Sequence, residues 1–161
     1  MKYPVKFSTY CRIVTILITA VLLGTIAIQI SRGGGPILIV LIALVATLFG
    51  AALFYSPQSV EISDTALRVN RILAHKTLPF SQIRSIELCS PTMSERRDMG
   101  SGGFLGYWGH FSERSIGRYF AYYGKASDCF LVRLADGSQY LLGCQNPADV
   151  VDSVNRHLRD K

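Results

Sequence analysis

Three histidines and four cysteines are the residues in this chain best suited to metal or nucleophilic chemistry. His75, His110 and His157 fall in no HExxH arrangement, and Cys11, Cys89, Cys129 and Cys144 form no CxxC pair. Local metal sites need such spacings, because they bring two ligands onto one surface of a helix or turn. The "GSGG" at 100–103 lacks the Gly-Lys-Ser/Thr ending of a phosphate-cradling P-loop. A Cys/His dyad of Cys129 or Cys144 with His110 has no sequence signature. The expectation is a chain with no catalytic residue, no cofactor and no metal, and so not an enzyme.

A different chemistry is offered by residues 103–124, "GFLGYWGHFSERSIGRYFAYYG", where eight aromatics stand among five glycines. Glycine permits tight turns and close backbone approach, and strand aromatics commonly pack a sharply curved sheet. The other reading is a contact surface for lipid headgroups or a partner. Tyr107 and Trp108 would then be interfacial rings, and Arg114 and Arg118 would meet phosphates. Arg96 and Arg97 nearby are flanked by Glu95 and Asp98, which fits a solvated loop better than an anion site.

The elements that must position these residues begin with two apolar runs. Residues 13–30, "IVTILITAVLLGTIAIQI", and 36–55, "PILIVLIALVATLFGAALFY", carry no charge. Each matches the roughly 20 residues with which a helix crosses a hydrocarbon core of about 30 Å, and neither has a polar face. The first is also longer than a signal-peptide core and lacks a cleavage site. The link at 31–35, "SRGGG", is too short for anything but an antiparallel transmembrane hairpin, with Pro36 opening the second helix.

Residues 1–56 hold four Lys/Arg and no acid, whereas residues 57–161 hold thirteen Lys/Arg against eleven Asp/Glu, a net +2. No basic stripe remains to suggest nucleic acid. Lys2, Lys6 and Arg12 precede the first span and Arg32 alone sits in the link, which orients both termini, including segment 1–12, toward the cytoplasm. Cys11, at the membrane edge, is a candidate for S-acylation, with a free thiol as the default.

From residue 57 to 161 the sequence reads as a cytoplasmic domain. "VEIS" and "ALRVN" alternate around Ser63-Asp64-Thr65, and Leu78-Pro79 marks an edge or strand end. Residues 90–103, rich in turn formers and poor in apolar side chains, read as a mobile surface loop. "CFLVRLADGSQYLL" is a hairpin about Asp136-Gly137. The period then changes: Asn146 as N-cap, Pro147 at the first turn, and Val150, Val151, Val154 and Leu158 on one face predict a helix over 147–159. Six or seven strands and one closing helix make a membrane-anchored α+β chain.

This order of motifs resembles the pleckstrin-homology (PH) architecture, a small antiparallel β-barrel or sandwich capped by a C-terminal helix. It is similar to bacterial PH-like domains attached to short membrane hairpins. The resemblance is carried by "LPFSQIRSIEL", "GFLGYWGHF" leading into "GRYFAYYG", "FLVRLADGSQYLLGC" and "NPADVVDSV", over most of residues 59–158. It implies a protein of the bacterial inner membrane and a binding role: a scaffold or adaptor for a protein partner or for its own copies. The alternative is an anionic-lipid sensor using the Trp108 segment. Phosphoinositide-binding members carry a basic cluster between their first two strands. Here only Arg68 and Arg71 lie near that region, beside Glu61 and Asp64, which argues against inositol phosphates.

Overall fold

The computed structural model describes residues 1–92 and 95–159. Strand β1 (Lys2–Pro4) leads into helix α1 (Thr9–Ser31), and α2 (Pro36–Tyr55) returns antiparallel to it. The helix begins before the apolar run because the Ser8 side chain caps it, accepting from the Cys11 backbone N–H at 3.2 Å. Gly33, Gly34 and Gly35, all at positive φ, end it, and Pro36 starts the second. Both helices are long and apolar enough to cross a membrane.

Strands β2 (Pro57–Ile62), β3 (Ala66–Arg71) and β4 (His75–Pro79) follow, and β1 joins them in a four-stranded sheet ordered β1-β2-β3-β4. Tyr3 lies opposite Val60, and the terminal ammonium of Met1 donates to the Ile62 carbonyl at 2.8 Å. The N-terminal segment is thus a strand. Three residues containing a lysine and a proline carry no readable period; partnership with β2, the bond of Gln145 to the Pro4 carbonyl and the packing of Tyr3 on the core specify them. Leu78-Pro79 closes the edge strand β4, where a missing donor costs no ladder bond.

The second sheet contains β5 (Ile83–Leu88), β6 (Arg96–Gly103), β7 (Gly106–Glu113), β8 (Gly117–Tyr123), β9 (Cys129–Leu134) and β10 (Gln139–Gly143), in the order β5-β9-β10-β8-β7-β6. β5 and β9 pair directly although residues 89–128 lie between them, so β6, β7 and β8 form an inserted meander that widens the sheet. The ladder of β10 with β8 runs parallel; the other described ladders are antiparallel.

Segment 90–103 is not the surface loop expected of it. Its second half is β6, paired with β7 from Arg96 opposite Ser112 to Gly103 opposite Gly106. The strand lacks apolar alternation, and what specifies it is close backbone approach. Gly100 and Gly109 face one another at φ 130° and 121°, and a Cβ on either would meet the opposing backbone.

Helix α3 (Pro147–Arg159) packs against β5 and β9 of the second sheet. Asn146 precedes it at φ 52°, a left-handed conformation that asparagine tolerates, in place of the extended one of an ordinary N-cap. Val150 and Val154 are fully buried among Phe80, Ile83, Phe130 and Val132, each burial stabilising by about 1.5–3 kcal/mol. A second cluster, with Phe111, Tyr119, Tyr123, Leu131 and Leu141, lies on the other face of the wide sheet.

Candidate functional site: the junction of helices and sheet

The four expected contact residues do not form one patch. Tyr107 and Trp108 stand near the start of β7, Arg114 is exposed in the turn after it, and Arg118 lies on β8 opposite Ser112. Arg114 lies six residue steps beyond Trp108, about 20 Å of extended chain, and the level of Arg118 lies four steps beyond it, about 13 Å. The Trp108 ring stacks on Tyr55, the last residue of α2, with centroids 5.5 Å apart, and its indole N–H donates to the Phe104 carbonyl at 3.3 Å. Tyr107 stacks on Tyr123 at 4.6 Å. Arg118 pairs with Asp98 at 3.6 Å from an exposed position. The rings stack on partners at the helix end of the sheet, and the two arginines stand at its opposite end.

The turn of the β6–β7 hairpin, Phe104-Leu105, reaches in between the two helices. The Phe104 ring meets Phe49 of α2 edge-on at 5.4 Å. Leu105 donates its backbone N–H to Thr15 Oγ1 of α1 at 2.9 Å, and its carbonyl accepts from Ser56 Oγ, just past α2, at 2.8 Å. The Phe104 carbonyl accepts from Ser101 Oγ at 2.7 Å as well as from Trp108. Leu105 holds φ 51°, an outlier for a bulky residue. Strain of that kind costs on the order of 1–3 kcal/mol and persists only where surroundings impose it. Gly103 and Gly106 flank the turn because a Cβ on Gly103 would lie 3.0 Å from the Tyr10 ring, and one on Gly106 2.8 Å from the Phe7 ring.

Beside the turn lies an apolar cleft of about 270 Å³ lined by Phe7, Cys11, Arg12, Thr15, Ile16 and Leu105. The Cys11 thiol is buried and donates to the Gly124 carbonyl at 3.4 Å. This packing fits the free thiol taken as the default better than the S-acylation for which Cys11 was a candidate.

On the face of the meander that turns toward β4, two adjoining grooves of about 170 and 350 Å³ share His110 and Phe120. One runs to Tyr55, Met99 and Trp108 at the helix end; the other runs to Arg118, Gln139 and Tyr140. Met99 is 70% exposed at its rim. Cations stand close by: Lys76 lies 5.3 Å over the Tyr140 ring, and Arg71 lies 5.5 Å over Tyr122 and 5.8 Å over Tyr55.

Residues 58–158 match the family model described as a bacterial PH domain. The chain belongs to the bacterial PH domain family. No curated protein and no solved structure matches it.

Within this PH domain, Arg71 is turned inward. Its Nη1 donates to Tyr122 Oη at 3.3 Å and its Nη2 to the His75 carbonyl at 3.0 Å, so it is not presented to a phosphate at the β2–β3 turn. Thr15 and Ser56 are the residues that sequence reasoning missed, legible only as isolated hydroxyls in or beside an apolar helix.

The other face of the wide sheet carries two acids with opposite environments. Glu95 accepts from Tyr123 at 2.9 Å and from Tyr119. Burial pushes its carboxyl above the ordinary 4.5, against the lowering effect of those two hydroxyls. Burial would also raise Glu113, but hydrogen bonds from Ser115 and Thr92 outweigh it and hold that carboxyl below 4.5. Cys129 packs on this face, away from the His110 groove, and burial pushes the Cys144 thiol up to about 12, far from a nucleophile's range. Among the described residues no group of three His, Cys, Asp or Glu is placed to hold a metal ion.

Proposed function

We propose that this protein is a binding module of the bacterial inner membrane: two spans anchor a cytoplasmic PH domain, whose groove takes a segment of a protein partner or of a second copy. The role is scaffolding, without catalysis. Supporting a one-sided arrangement, β1 precedes the helix pair and β2 follows it, yet the two strands share a sheet. The excess of Lys2, Lys6 and Arg12 over Arg32 supports the cytoplasm as that side. The hydrogen bonds of the Phe104-Leu105 turn also suit a membrane margin, where backbone groups must be satisfied internally.

The observation that carries the protein-binding reading is the groove through His110 and Phe120, aromatic-floored and rimmed by exposed Met99. Aromatic and methionine side chains around a concave strip are the composition of protein-binding surfaces. The lipid-sensor alternative, built on Trp108 acting with Arg114 and Arg118, has less support, because the indole is spent on Tyr55 and the arginines lie elsewhere. The test is photo-crosslinking in native membranes from probes at Met99 and at Asp152 of α3. Protein adducts from Met99 alone support the groove. Equal adducts from both sites, or lipid adducts from Met99, refute it.

A further inference from the structure

The turn between β3 and β4 leaves Ile72 and Leu73 45% and 59% exposed. Two branched aliphatics at a turn are poorly matched to water, and their neighbourhood is not water alone. Leu73 donates its backbone N–H to the carbonyl of Leu53 in the last turn of α2, at 3.1 Å. Leu53 and Phe54 beside it are themselves 37% and 52% exposed.

The length of α2 fixes what this means. Its residues run from Pro36 to Tyr55, twenty in all, or about 30 Å of helix, the full thickness of a hydrocarbon core. On the reading that α2 spans the bilayer, on which this inference rests, no part of the helix is left over to raise the domain into solvent. A group bonded to Leu53 then sits about 3 Å inside the helix end. The neighbouring charge is compatible: Arg68 on β3 and Lys76 on β4 stand on the strands that lead to and from the turn, Ile72-Leu73-Ala74 is its apolar tip, and Arg71, bonded inward to Tyr122 and His75, is not counted among the lipid-facing cations.

We propose that the Ile72-Leu73 turn is immersed in the apolar margin of the bilayer, a third attachment beside the two helix ends, with lipid acyl chains as its partner. The domain therefore lies tilted against the membrane on that side.

The test uses the full chain in phosphatidylcholine vesicles, with an environment-sensitive fluorophore on Leu73→Cys, Leu44→Cys or Asp152→Cys in a Cys89→Ser background; the other three thiols are buried. Lipids brominated near the carbonyl or near the chain end report depth. The expected result is blue-shifted emission at position 73 that is lost more to the shallow bromines, deep quenching at 44 and none at 152. Quenching at 44 with a solvent-like probe at 73 overturns the inference and leaves the anchor standing. A blue-shifted probe at 73 that no bromine quenches overturns it in favour of a protein cover. No quenching at 44 overturns the spanning reading and the inference with it.

Discussion

Leu105 and Thr15, ninety residues apart in the chain, are joined by a hydrogen bond of 2.9 Å from the backbone N–H of one to the side-chain oxygen of the other. With Ser56 holding the Leu105 carbonyl from the second helix, the bond locks the tip of an inserted hairpin between two apolar helices. The domain is fastened to its helices at several places in sequence, among them β1 before α1, the β2 connection after α2, the bond of Leu73 to Leu53, and this turn.

Replacing Thr15 by valine keeps the shape and removes the acceptor. The Leu105 N–H is then left unpaired in apolar surroundings, at a cost of about 1–3 kcal/mol. Thermal unfolding in detergent should show a lower Tm for Thr15→Val, by about 2–4 °C for each kcal/mol lost. Thr15→Ser, which retains the oxygen, should unfold near the parent temperature. Equal behaviour of all three proteins would remove this bond from the account.

Glu95 sets a pH dependence of definite sign. Its folded pKa lies above 4.5, so the folded state holds the proton to higher pH than the unfolded chain. Its contribution to stability is greatest below 4.5 and declines as pH rises through the folded value. Glu113 does the reverse: its contribution is present above 4.5 and is lost as pH falls through its lowered folded pKa. Glu95→Gln removes the first effect and keeps the second. The variant should therefore gain on the parent as pH rises from 4.5 to neutral, in paired unfolding curves. A difference that shrinks with rising pH would contradict the burial argument.

Much of this fold is legible in the sequence where local signals agree. Two uncharged runs, the Asp136-Gly137 hairpin and the valine stripe of α3 each carry their own period or turn chemistry. Strands β1 and β6 carry none. Lys2-Tyr3-Pro4 and the glycine-rich 96–103 segment are specified by what they pair with, and a pairing partner tens of residues away leaves no mark on a single strand. The candidate site suffered in the same way. Trp108, Arg114 and Arg118 are close in sequence, but a strand spreads such neighbours along its length, while Trp108 meets Tyr55 from a distant helix. Hydroxyls such as Thr15 and Ser56 acquire their role only when a turn from the inserted meander arrives beside them.

Amide hydrogen exchange of the full chain in lipid nanodiscs reads out whether the β6–β7 turn is locked between the helices. The Leu105 amide should exchange as slowly as those of the buried strand residues Leu131 and Leu141, and Thr15→Val should release it. Exchange at Leu105 in the unsubstituted chain as fast as at the exposed Arg114 and Ser115 would show that the turn is not held.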